Sequence, residues 1–221
     1  MFPVGDDNSL RRSAPYVTYV LIVINVLVFL LELQNGDEFI REWAFVPGRF
    51  SDHPGANIAT IFSAMFMHGG WLHLGGNMLY LWIFGDNVED RFGHVKFLIF
   101  YLLCGIAATF AQYYVAPGST IPNVGASGAI AGVLGAYILM FPQARVNVLV
   151  GNRMVAMPAL IVLGLWIALQ LFSGVGAIAY TDESTQDVGG IAYMAHVGGF
   201  VAGLLMAFVF RGGSNNPRLS A

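Results

Sequence analysis

Charge is scarce in this chain. Asp, Glu, Lys and Arg make up 10% of its 221 residues, against about 25% in a typical soluble domain. A soluble protein of this length needs far more polar surface than these side chains supply. No basic patch accompanies the net charge of −3, so nucleic acid is not an expected partner. The single cysteine, Cys104, lies in an apolar stretch. It has no partner for an intrachain disulfide and reads as a small buried hydrophobe in a helix. There is also no internal repeat, no low-complexity tract and no separate soluble domain. What fills the chain is apolar: 57% of residues are hydrophobic, and the mean hydropathy is +0.66. The composition points to an integral membrane protein.

A membrane-spanning helix needs about 20 largely apolar residues. Six segments fit, at about 16–34, 72–87, 96–115, 127–142, 154–173 and 194–210. The expected fold is therefore all-α, a polytopic membrane bundle of six transmembrane helices over residues 16–210. A short tail, 1–15, precedes it and another, 211–221, follows, both expected to be frayed. The first apolar run, Tyr16 to Leu31, is long for a signal-peptide core and no small-residue cleavage site follows it, so it reads as a retained span. The fourth segment is short and begins at Ser127, which implies a helix starting below the membrane surface.

Lys and Arg in the loops set the orientation. With the N-terminus inside, Arg11, Arg12, Arg91, Lys96, Arg145, Arg153, Arg211 and Arg218 face inward, and only Arg41 and Arg49 face outward. Both ends are then cytoplasmic, and a prokaryotic plasma membrane is the expected location. The outer loop before the sixth span is acidic, with Asp182, Glu183 and Asp187. The first outer loop, about 35–71, carries Trp43, Phe45, Phe50, Phe66 and Trp71. Such a loop is expected to lie in the membrane interface or to pack on the top of the bundle.

Polar groups are costly in lipid, so those within spans are candidates for function. No Asp, Glu, Lys or Arg falls in the middle of a span. There remain His73 and Asn77 on the second, Ser127 opening the fourth and His196 near the start of the sixth. Asn25, Gln112 and Gln170 are assigned no role. Ser127 stands in Gly125-Ala126-Ser127-Gly128, after a loop rich in Pro and Gly. A helix N-terminus there offers unpaired N–H groups that favour negative charge. His196, Gly199 and Gly203 share one helix face, as do Ser127, Ala131 and Gly135. Two small-residue faces should pack together and bring Ser127 to His196, a base able to activate a hydroxyl. His73 and Asn77, four residues apart on one face, could donate hydrogen bonds to an oxyanion or simply tie helices together. No His-Glu-x-x-His motif or intramembrane carboxylate supports a metal site or an aspartyl protease. No metal and no organic cofactor is expected.

Three blocks resemble the rhomboid family of intramembrane serine proteases over about residues 16–210. They are His68-Gly69-Gly70-Trp71-Leu72-His73-Leu74-Gly75-Gly76-Asn77, then Gly125-Ala126-Ser127-Gly128, then Ala195-His196-Val197-Gly198-Gly199-Phe200 with Gly203. Glu89-Asp90-Arg91 resembles the family's Glu-x-Arg motif, with Glu89 and Arg91 in structural roles. The resemblance implies a six-helix core without an N-terminal soluble domain or seventh helix. It implies a catalytic dyad of Ser127 and His196, and an oxyanion hole of His73, Asn77 and the Ser127 N–H. His68, Gly125, Gly128, Gly199 and Gly203 would support the site. Substrates would be single-span membrane proteins cut near the outer end of their helix. The loop 174–192 would form a cap, and the fifth helix would join it in a gate. Two positions depart from the pattern. Ala131 stands where many bacterial relatives carry an aromatic residue that stacks on the catalytic His, so something else must orient His196. Gly76 stands where some relatives carry a bulky gate residue. The alternatives are an inactive rhomboid-like protein that binds transmembrane helices and, more distantly, a small-solute transporter.

Overall fold

The structure is a computed structural model that describes residues 2–9, 11–179 and 192–211, with residues 177–179 described by their backbone alone. The acidic residues Asp182, Glu183 and Asp187, with most of the expected cap loop, lie outside the described residues, as does the tail after residue 211. Six long helices dominate: α1 (Tyr16–Trp43), α2 (Trp71–Phe92), α3 (His94–Val115), α4 (Ser127–Met140), α5 (Ala159–Ala179) and α6 (Tyr193–Phe210). Four of them, α1, α3, α5 and α6, are long and apolar enough to cross a membrane. α4, at 14 residues, is a shorter apolar helix. α2 carries Asp86, Glu89, Asp90 and Arg91 in its last two turns. The arrangement is a polytopic helical membrane bundle.

Its polarity is inverted relative to a soluble protein. On α1 the buried positions include Thr18, Asn25 and Glu32, while Val20, Val23, Leu27, Leu30 and Leu31 lie exposed on the outside. Apolar side chains facing outward suit a lipid solvent. Thr18, Asn25 and Glu32 each find an internal partner, as lipid requires. Asn25 Nδ2, for example, donates to the Leu21 carbonyl at 2.7 Å.

The centre of the bundle is α4, enclosed by α2, α3 and α6; residues 128–137 are all buried. Glycine makes this possible. A Cβ on Gly199 would stand 2.0 Å from the Gly128 carbonyl oxygen, and one on Gly203 the same distance from that of Gly132. A Cβ on Gly135 would meet the Phe200 oxygen at 2.2 Å. Backbone therefore touches backbone along the α4–α6 seam. The seam on α4 is Gly128, Gly132 and Gly135; it keeps Gly135 of the expected face but has Gly128 and Gly132 in place of Ser127 and Ala131. With Gly128 and Gly132 against α6, Ser127 is rotated off the seam toward the cavity described below.

At the far end of the bundle from Ser127 lies a feature absent from the sequence reading. Strands β1 (Phe2–Asp6), β2 (Arg145–Val150) and β3 (Arg153–Pro158) form an antiparallel sheet in the order β1-β2-β3. The segment expected as a frayed tail is thus a paired strand. The fifth helix begins at Ala159 rather than at 154, because Arg153–Pro158 pairs with β2. Val150 pairs with Arg153, so Gly151-Asn152 forms a two-residue hairpin loop. Gly151 has φ +58°, as the tight primed turns require.

Polar clamps tie this end together. Glu89, fully buried, accepts from the N–H groups of Val17 and Thr18 at 2.9 and 2.7 Å and from the Thr18 hydroxyl at 2.7 Å. It thereby satisfies orphan donors at the start of α1. Asp90 accepts from the Arg12 and Ser13 N–H groups. Asp6 Oδ2 accepts from the Tyr137 hydroxyl at 2.6 Å and from Asn87 Nδ2 at 2.6 Å, joining β1 to α4 and α2. Arg11 and Asp86 form an ion pair at 2.5 Å. Arg91 hydrogen-bonds to no side chain among the described residues.

α1 runs on to Trp43, beyond its expected end near 34, with a break at Gly36 (φ +64°, ψ −151°). The aromatic loop that follows contains short helices at Pro47–Asp52, Pro54–Asn57 and Thr60–Ser63 and a 3-10 turn at Ala64–Phe66. It packs on the bundle. Phe45, Phe50, Phe110 and Tyr113 form an aromatic cluster between this loop and α3.

Candidate active site

The loop before α4 is fastened to the aromatic loop. Gly48 N–H donates to the Ser119 carbonyl at 2.8 Å, Asn123 N–H to Phe45 at 2.7 Å and Gly125 N–H to Ala64 at 2.9 Å. Gly125 has φ +133°, a backbone conformation costly for a residue with a Cβ. A Cβ there would also sit 2.9 Å from the His73 ring. Gly125 is therefore needed twice over: it turns the chain into α4 and lets the His73 imidazole lie against the backbone beside Ser127.

Ser127 is the first residue of α4. His196 lies in the first turn of α6. The glycine seam draws the two helix starts together, and His196 Nε2 stands 2.8 Å from Ser127 Oγ in a hydrogen bond. On the other edge of the imidazole, Nδ1 lies 2.7 Å from Oε1 of Gln170 on α5. The Trp166 ring, one turn earlier on α5, lies 5.8 Å from the His196 ring at 37°. Gln170 was assigned no role from sequence, and Trp166 was not singled out. The one signal available was a lone polar side chain in an apolar span.

Ser127, His196, His73, Asn77 and Trp166 line one cavity of about 580 Å³. Gly76 also lines it, and a Cβ at Gly76 would meet nothing within 4 Å. Buried Asn77 has its Nδ2 unpaired among the described residues, so its amide is free to donate. The His73 Nδ1 accepts from the Gly69 N–H at 3.4 Å. A second cavity of about 40 Å³ lies beside Ser127 and is lined by Thr109, Gln112 and Asn123, room on the scale of one or two waters.

His68 does not line the larger cavity. It is buried behind His73, the two rings packing edge to face at 5.1 Å. Its N–H donates to both oxygens of Glu32, at 3.0 and 3.1 Å, a buried carboxylate that the sequence reading passed over. Burial holds the His68 imidazole down to about 4, so it stays neutral at physiological pH. Glu89 and Arg91 lie at the opposite end of α2. Twelve residues separate Glu89 from Asn77, about 18 Å along the helix, so neither belongs to this site; Glu89 has its place in the clamp. Among the described residues no cluster of His, Cys, Asp and Glu could hold a metal ion.

A hydroxyl bonded to an imidazole at a helix N-terminus, with further donors in the same cavity, is the arrangement that serves acyl transfer. Comparison with known proteins adds a lineage to this geometry. The model of the Rhomboid domain matches residues 56–213, well over half of the chain. The chain belongs to the rhomboid family. Rhomboid protein 1, mitochondrial, of Saccharomyces cerevisiae is 32% identical over 86% of this chain and 51% of its own length. Rhomboid protease GluP of Bacillus subtilis is 28% identical over 96% of this chain and 39% of its own. The human presenilin-associated rhomboid-like protein, mitochondrial, is 29% identical over 75% and 45% respectively. This rhomboid chain thus spans about half, or less, of the length of these relatives.

Proposed function

We propose that this rhomboid protein is an intramembrane serine endopeptidase that cleaves single-span membrane proteins within or near the outer end of their transmembrane helix. The observation that carries the reading is the 2.8 Å hydrogen bond between Ser127 Oγ and His196 Nε2, two residues that line the larger cavity. In this reading Ser127 attacks the scissile carbonyl while Nε2 takes the hydroxyl proton. The imidazolium then gives that proton to the leaving amine, and a water deprotonated by His196 releases the acyl group. That water comes from the larger cavity, which both Ser127 and His196 line, and the smaller cavity beside Ser127 has room to store more. The free N–H groups at the start of α4, with His73 and Asn77, receive the oxyanion; one such donor is worth about 3–4 kcal/mol of barrier.

The wider arrangement belongs to the same proposal. Residues 16–210 form the membrane domain, with the six long helices as six spans. Residues 1–15 and 211–221 flank it on the cytoplasmic side, following the Lys and Arg bias of the loops. The sheet is then cytoplasmic and the Ser127 end outward, in a prokaryotic plasma membrane.

The test uses the full chain in detergent with a model single-span substrate. Cleavage should vanish in Ser127→Ala and in His196→Ala, and a serine-directed phosphonate should label Ser127 in the wild type. Asn77→Ala should slow turnover by about 10–1,000-fold while the protein stays folded. Wild-type cleavage in Ser127→Ala would end the reading. A folded wild type that neither cuts nor takes the label would favour a helix-binding rhomboid-like protein instead.

A further inference from the structure

The imidazole of His196 can serve as a base only in one of its two neutral forms. Nε2 must be bare to accept the Ser127 proton, so Nδ1 must carry the hydrogen. Something has to select that form and hold the ring in line. Ala131 presents only a methyl group and is fully buried, so α4 offers no ring to stack on His196. Among the described residues no carboxylate hydrogen-bonds to His196. The groups that do approach come from α5: the Gln170 side chain at Nδ1 and the Trp166 ring near one face.

We propose that Gln170 is the positioning residue for His196, a neutral third member in the place where a soluble serine hydrolase carries a carboxylate. An amide oxygen can only accept a hydrogen bond. Oε1 facing Nδ1 at 2.7 Å therefore requires Nδ1–H, which leaves Nε2 as the acceptor for the Ser127 hydroxyl. When Nε2 takes that proton, Nδ1 keeps its own and stays bonded to the same oxygen. The amide supplies this without a charge, whose burial at membrane depth would be costly. Trp166 closes one side of the ring, so α5 fixes both the tautomer and the orientation. The consequence is that the base is assembled from α5 as well as α6, and it depends on where α5 stands.

This proposal rests on the dyad reading, and its test has an arm that does not. In the full chain labelled with ¹⁵N-histidine, the His196 ring nitrogens can be assigned by comparison with a His196→Gln sample. The wild type should show Nδ1–H and a bare Nε2. Gln170→Met, close in length and apolar, should populate the Nε2–H form, and Gln170→Glu should restore Nδ1–H because a carboxyl oxygen also accepts. In cleavage of a model single-span substrate, Gln170→Met should lower kcat by about 10–100-fold with KM unchanged. Gln170→Glu should recover most of that loss. If Gln170→Met does not fold, Gln170→Leu takes its place. An unchanged tautomer in a folded Gln170→Met protein, or equal kcat losses in the Met and Glu variants, would overturn the proposal. A wild type that neither cleaves nor labels Ser127 would defeat the protease reading alone, and the tautomer arm would still decide the role of Gln170.

Discussion

Replacing Gly199 with alanine adds one methyl group where α6 and α4 touch backbone to backbone. Its Cβ would stand 2.0 Å from the Gly128 carbonyl oxygen, where an ordinary contact needs 3.4 Å or more. α6 and α4 must therefore part by roughly 1.4 Å there, or α6 must roll. Overpacking of this kind costs about 1–3 kcal/mol. The strain falls one turn from His196 and one residue from Ser127. A parting of that size would stretch the 2.8 Å Ser127–His196 contact beyond hydrogen-bond length, and misplacement by about 1 Å can cost on the order of 100-fold in rate. Gly164→Ala is the control, because a Cβ at Gly164 on α5 meets nothing within 4 Å. That change should be neutral or gain up to about 1 kcal/mol from helix propensity. The assays are thermal unfolding in detergent and kcat on a model single-span substrate. Gly199→Ala should lower both the unfolding midpoint and kcat, and Gly164→Ala neither. Wild-type midpoint and kcat in Gly199→Ala would refute the claim that backbone contact along this seam sets the distance between the two side chains.

Two further predictions concern the sheet end. Glu89→Gln should destabilise the protein by about 2–4 kcal/mol, because the amide NH₂ replaces an acceptor oxygen among buried donors that the carboxylate now satisfies; an unchanged unfolding midpoint would remove Glu89 from the clamp. Asp6 should make stability pH-dependent. Burial outweighs the hydrogen bond from Tyr137 and raises its carboxyl from 3.8 to about 7. The folded state therefore holds this proton more tightly than the unfolded chain does. Its contribution is complete below about pH 4 and is lost as the pH rises to about 7. The unfolding midpoint should fall between pH 5 and pH 8, and Asp6→Asn should flatten that slope. An identical slope in Asp6→Asn would show that another group governs it.

The parts of this molecule that were legible in the sequence are those where a lipid solvent imposes a simple rule. Apolar runs become helices, and the few polar residues left in them collect inside: Ser127, His196, His73 and Asn77 were separable from the rest because each is expensive in an apolar span. The small-residue faces announced close packing, although on α4 the seam uses Gly128 and Gly132 with Gly135 rather than Ser127 and Ala131 with Gly135, since a face of three residues on a 3.6-residue turn fixes rotation only loosely. The sheet was missed for a different reason. Arg145 to Pro158 carries a hairpin signal, Val146, Val148, Val150 and Val155 around a central Gly-Asn pair. An apolarity-based reading absorbs its second half into the next span, because hydropathy does not distinguish a strand from the start of a helix. Phe2 to Asp6 gives still less signal alone, as its pairing with β2 joins segments far apart in sequence. Glu32 and Gln170 are the instructive misses near the site. Each is a single polar residue within or at the edge of an apolar run, and its partner, the His68 N–H or the His196 imidazole, comes from a different helix or loop. Periodicity identifies which face a residue occupies, but not which group on a neighbouring helix stands opposite it. That information resides in the packing of α5 against α6, and in the turn that lays His68 over α1.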